Sequence, residues 1–383
     1  MTRTNVEISP SILKWVLGQI DPAMAGEHVF DNVSNWVSGK KQPTFAQVKK
    51  LSSKTNIPLG YFFLETPPKE EIELLDFRTV NSGKLEHPSR ELIDTIYKME
   101  SVRDWMRDYR IESGYDELDI VGSVNEQMSS EEIAAKIRDD LGIPDHWFLN
   151  CNNMRESFKF IRNCLEDDQV VVMMTGIVGN NTNRPLNVEE FRAFAMTDEH
   201  APLIFINNCD TDSGKLFSLL HEAVHIWLDK NDFFNAVSIE DDTYDKVEKI
   251  CNETATEILM PNQLFVEYWK QSEISDMKSK LNQTAQYFKC GIVVTARRAL
   301  DHAFISKAVY RDIAEAAAKG YKKKKTSGGN YYNTMNSRLD KNFVHAVCNS
   351  LNAGKMRYTD AYDLTGTSYK TFPKIAADFG DAI

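Results

Sequence analysis

The stretch "FSLLHEAVHIWLDK", residues 217–230, sets two histidines four apart with a glutamate directly after the first. On a helix, such a pair lies about 40° apart around the axis and about 6 Å apart along it, so His221 and His225 project side by side. Two imidazole nitrogens so placed can share one tetrahedral Zn²⁺ at about 2.0–2.1 Å each. Glu222 is turned about 100° from His221 but only about 60° from His225. Its carboxylate can therefore act as general base on a water without ligating the metal. The chemistry this pattern suits is metal-assisted hydrolysis. Gly214 and Ser218 continue the histidine stripe toward the N-terminus, an arrangement expected to leave that face open. Phe217, Leu220, Val224 and Trp227 form the apolar stripe that should anchor the helix in a core.

A catalytic zinc needs a third protein ligand and keeps a fourth position for water. The next helical stretch, "DKVEKICNETATEILMP" (245–261), offers Glu248, Glu253 and Glu257. Glu248 and Asn252 are four apart and share a face, so one could bind metal while the other steadies a ligand histidine from behind. Glu257, beside Met260 and Pro261, reads as a surface or structural residue.

"HEAVH" followed by "E-x-x-C-N-x-x-A-x-E-x-L-M-P" resembles the ImmA/IrrE-type metallopeptidases. The resemblance implies a small thermolysin-like zincin domain with Zn²⁺ as cofactor. It also implies Glu248 as the third ligand, Asn252 as the asparagine of that element, and a protein substrate in the bacterial or phage cytosol. Repressors are the substrates known in the family, and a repressor or toxin–antitoxin component is the implied partner here. Thr254 departs from the pattern, where family members usually carry an aromatic. An oxyanion partner is also required. Arg298 of "ARRAL" stands at the position of a recurrent family arginine, and Tyr244 lies just before the third-ligand helix; both are candidates.

These side chains need a scaffold. Three strand-like runs, 170–177, 191–197 and 202–208, precede the HExxH helix, and the second could offer an edge to an extended substrate. Helices are expected around 88–112, 130–142 and 153–166. The reading is an α+β fold in four parts. Residues 1–66 form a helical bundle, 67–150 a helical connector, 151–306 the zincin-like domain and 307–383 a basic helical region. In the first part, Ser34, Trp36, Gly39, Pro43 and Thr44 resemble the helix-turn-helix of phage-repressor-type regulators. Asn35, Lys40 and Lys41 are its candidate DNA contacts, although Pro22 and Gly26 break the expected first helix of the pair.

Charge is segregated along the chain. Residues 1–60 carry +3, residues 307–383 carry +6, and the segment between them carries −20 of a net −11. Basic ends around an acidic body suit operator DNA as a further partner. Six scattered cysteines without a CxxC pair, no secretory leader and no run near the roughly 18 apolar residues of a membrane span point to the reducing cytoplasm. The competing reading is a DNA-binding regulator or antitoxin that captures a partner toxin without proteolysis; an intact Glu222 argues against it, since binding alone needs no base.

Overall fold

The computed structural model describes residues 4–19, 27–68, 88–230, 232–234, 246–321 and 331–381. They fall into two compact units, one running to Asp94 and the other from Thr95 onward. The first unit is built on α1 (Pro10–Gln19), α2 (Glu27–Val37), α3 (Phe45–Thr55) and a 3-10 turn, Leu59–Phe63. Pro10 opens α1, where its missing N–H leaves no bond unmade. Thr44 starts α3 through a reciprocal cap: the Gln47 N–H donates to Thr44 Oγ1 at 3.3 Å, and the Thr44 N–H donates to Gln47 Oε1 at 2.8 Å. Ile12, Val16, Val33, Val48 and Phe62 close a core of their own.

In the second unit, the part of α4 (Arg90–Glu112) from Thr95, α5 (Ser130–Asp140) and α6 (Met154–Asp167) precede the sheet. The strands are β1 (Val171–Thr175), β2 (Ala193–Met196) and β3 (Leu203–Asn207). Helix α7 (Asp212–Trp227) follows, then β4 (Asp232–Phe234) and α8 (Lys246–Leu259). The remaining helices are α9 (Asn262–Gln271), α10 (Met277–Tyr287), α11 (Ile292–Asp301), α12 (Lys307–Tyr321), α13 (Tyr331–Arg338), α14 (Lys341–Asn352), α15 (Tyr358–Thr365) and α16 (Phe372–Asp378). The architecture is α+β and mostly helical. No helix among the described residues is long and apolar enough to cross a membrane.

The sheet runs β1-β3-β2-β4. β1 pairs parallel with β3, from Val171 opposite Leu203 to Thr175 opposite Asn207, while β2 is antiparallel to both β3 and β4. This corrects the expectation that 191–197 offers an edge. β2 has a strand on each side, and β4, a segment with no strand signal of its own, takes the edge position. The first three strands are buried almost throughout, which is why they read as continuous apolar runs rather than alternating ones. Val172, Met174, Ala193, Ala195, Ile204 and Ile206 join the core that also holds α7 and α8.

Helix α7 is the centre of this core. Thr211 caps its start, accepting the Gly214 N–H at 3.0 Å. Its end is satisfied by a distant loop: the Gly122 N–H donates to the Ile226 carbonyl at 3.3 Å and the Val124 N–H to the Trp227 carbonyl at 3.1 Å. Gly122 has φ +67° and passes close to the Asp229 side chain, a combination that any Cβ would strain. The Trp227 indole donates to Asp140 Oδ2 at 2.8 Å, tying α5 to the same end of α7. Residues expected as a connector thus hold one end of the HExxH helix.

Candidate metal centre

His221 and His225 are buried within α7, and Glu248 is the third residue of α8. Their ligand atoms converge. His221 Nε2 and His225 Nε2 are 3.2 Å apart. Glu248 Oε2 lies 3.4 Å from His221 Nε2, and Glu248 Oε1 lies 3.3 Å from His225 Nε2. These spacings test the site for zinc. A tetrahedron with arms of about 2.0–2.1 Å has edges of about 3.3–3.4 Å, close to the spacing of the two imidazole nitrogens, and the Glu248 carboxylate lies across that pair with one oxygen toward each ring. Two imidazoles and one carboxylate are a donor set that fits zinc, and these three are the one set among the described residues able to hold an ion.

Electrostatics agree with the spacing. Burial works to raise the Glu248 carboxyl, but the two imidazoles overcome it and hold the group far below the usual carboxylate range. The Glu248 side chain keeps 25% of its exposure while the histidine side chains keep 0% and 2%, so solvent reaches the triangle past the carboxylate. Glu222 is fully buried and is not one of the three residues whose ligand atoms converge.

The other candidates separate. Glu253 is exposed, accepting from the Ser130 hydroxyl at 2.9 Å and pairing with Lys249. Glu257 is buried; its Oε2 meets Arg298 Nη2 at 2.6 Å, and its Oε1 accepts the Asn262 N–H at the start of α9. Arg298 also donates to the Met260 carbonyl at 2.9 Å. Its guanidinium is thus engaged in joining α11 to the end of α8. Asn252 is half-buried one turn after Glu248, and its backbone carbonyl accepts from the Thr256 hydroxyl at 2.7 Å. Thr254, the departure from the family pattern, is fully buried. Tyr244 lies outside the described residues. Asn35 is half-buried near the end of α2, where its carbonyl accepts the N–H groups of Lys40 and Lys41; both lysines are exposed, and all three belong to the first unit, apart from the triangle's.

One expectation about α7 needs correction. The stripe of small residues before His221 is not open. Ser218 is buried, and the space beside Gly214 is filled by the Asp210 carboxylate, which a Cβ would strike. Asp210 pairs with Arg192 at 2.8 Å, and burial, only partly countered by Arg192, raises its carboxyl. The glycine makes room for a buried ion pair that fixes the helix start. Nothing in the local pattern marked Asp210 or Arg192, which stand 18 residues apart.

Residues 182–300, which run from the β1–β2 loop to the end of α11, match the family model of the IrrE N-terminal-like domain, a peptidase domain of the M78 type. That family points to a zinc-metallopeptidase-like function. The match holds both histidines, Glu222, Glu248 and Arg298, and covers about a third of the chain. Residues 339–378 match a second model, a domain of unknown function (DUF8813). No curated protein and no solved structure matches the chain.

Proposed function

We propose that this protein is a zinc-dependent endopeptidase of the bacterial or phage cytosol that cleaves a specific regulatory protein, a repressor or a toxin–antitoxin component. The observation that carries this reading is the convergence of His221, His225 and Glu248, the two imidazole nitrogens 3.2 Å apart with the carboxylate across them, and the buried Glu222 beside the pair. Those three residues would hold Zn²⁺, which when bound supplies the positive charge that acidifies a water and polarises a carbonyl. Glu222 takes the proton from the water that attacks the peptide carbon, and returns it to the amine nitrogen as the C–N bond breaks.

Substrate placement follows from the sheet. β4 comes directly after the HExxH helix and pairs on one side only, with β2, among the described strands. An extended segment of the substrate would add along its other side, with main-chain hydrogen bonds giving affinity and side-chain pockets giving selectivity. Glu222→Gln tests the whole reading. It should keep zinc and thermal stability while cleavage of the cognate regulator falls at least about a hundredfold. Undiminished cleavage would remove Glu222 from the role of base, whereas a parent protein that binds the regulator without cutting it would leave only the capture of a partner.

A further inference from the structure

The edge opposite β4 belongs to β1, and it is occupied by side chains rather than by a strand. Asp340 Oδ2 accepts the outward Val172 N–H at 3.1 Å. Arg162 Nη2 donates to the Val172 carbonyl at 3.0 Å and to the Leu339 carbonyl at 2.7 Å. The same guanidinium donates from Nη1 to the Ser337 carbonyl at 2.6 Å, and from Nε to Glu166 at 2.6 Å. Asp340 is fully buried and spends its other oxygen on the Phe343 N–H at 2.8 Å, capping α14. One carboxylate and one guanidinium thus satisfy, at a single β1 residue, both backbone groups that a neighbouring strand would otherwise take.

The contacts around this pair widen the attachment. Lys341 meets Asp167 at 2.5 Å, and Asn342 donates to the Glu166 carbonyl, so both grip the end of α6. Asn180, in the β1–β2 loop, donates to the Gly366 carbonyl at 2.5 Å. Phe343 meets Trp105 of α4 edge-on, with ring centroids 5.8 Å apart.

We propose that residues 339–378, the domain of unknown function, serve as an intramolecular edge cap. The group covers β1 and prevents that edge from pairing with the β1 of a second copy of this chain. An unpaired strand edge is a template for association, and burying it under charged groups already bonded to its backbone is an effective block. Among the described strands, β4 is then the one whose outer side has neither a strand nor this cap against it. This assignment is independent of hydrolysis, since it uses none of His221, Glu222, His225 or Glu248.

The test is Asp340→Asn in the full chain, compared with Arg357→Ala, which removes only an exposed pair with Asp360 inside the same segment. Exchange of the Val172 amide hydrogen and sedimentation across a concentration series are the readouts. Asp340→Asn should speed Val172 exchange by about tenfold or more, the loss expected for a charge-assisted bond, and should give reversible self-association. Arg357→Ala should change neither. Should Asp340→Asn fail to fold, Asn180→Ala, which loosens the cap from its far side, should produce the same self-association to a smaller degree. A well-folded Asp340→Asn protein that stays monomeric with parental Val172 exchange would overturn the proposal, as would a monomeric Asn180→Ala protein if Asp340→Asn cannot be made.

Discussion

The Nε2 atoms of His221 and His225 face each other at 3.2 Å, with the Glu248 carboxylate bridging the pair from the next helix. The arrangement has the charge and the spacing of a zinc site.

Removing the carboxylate should therefore remove the ion. Glu248→Ala should lower zinc content from about one per chain to a small fraction, measured by elemental analysis after dialysis, with its structural residues otherwise intact. Chelating the parent protein should lower its unfolding free energy by about 4 kcal/mol if it is compared with protein at free zinc a thousandfold above Kd. Equal zinc in variant and parent would show that Glu248 is not the third ligand.

Arg298 separates a structural role from a chemical one. Its pairing with the buried Glu257 and its bond to the Met260 carbonyl join two helices. Arg298→Ala strips the partner from a buried carboxylate and should cost about 3 kcal/mol in urea unfolding. The kcat/KM of the folded fraction should stay within about threefold of the parent, because no transition-state contact is lost. A stable variant with a hundredfold loss of kcat/KM would instead make Arg298 the oxyanion partner.

What the sequence carried, and what it did not, follows from the range of each interaction. The HExxH pair lies within one helical turn, so its geometry is set by local periodicity alone. Helix and strand positions in the second unit were readable for the same reason: long apolar periods around α4 to α8 match the observed spans within a few residues. Choosing Glu248 over Glu253 and Glu257 required knowing which face of α8 meets α7, and the apolar residues of α8 alone do not set that contact. β4 was invisible because three residues carry too little pattern. The pairs Arg192–Asp210 and Arg298–Glu257, and the Arg162–Asp340 cluster, join distant positions; no period in the chain encodes such meetings.

The start of α7 offers a double test. Gly214→Ala drives a Cβ into the Asp210 carboxylate and should destabilise by about 2 kcal/mol, the usual scale for overpacking. Asp210→Ala should also destabilise, through the loss of its bond to Arg192. Combined, the two should cost at least about 1 kcal/mol less than their sum, since the second change removes what the first collides with. Strict additivity in thermal or urea unfolding would mean that the glycine is there for some other reason.

Asp168 gives a pH dependence whose sign can be worked out. Burial, reinforced by the charge of Asp140 and opposed by Lys136, pushes its carboxyl up to about 6. Its Oδ2 is shielded from water and accepts no hydrogen bond from the described residues. Between about pH 4, where the unfolded chain gives up this proton, and about pH 6, the native state binds more protons than the unfolded one. Stability therefore falls as pH rises through that window and is level above it. A shift of this size would correspond to about 3 kcal/mol for a fully shielded group, which screening at this half-buried side chain reduces to about 1 kcal/mol. Asp168→Asn cannot ionise and should escape the fall. Its stability relative to the parent, from urea unfolding at each pH, should rise by about 1 kcal/mol between pH 4 and pH 7. An offset that stays constant across that range would show that the Asp168 carboxyl titrates like an ordinary surface group.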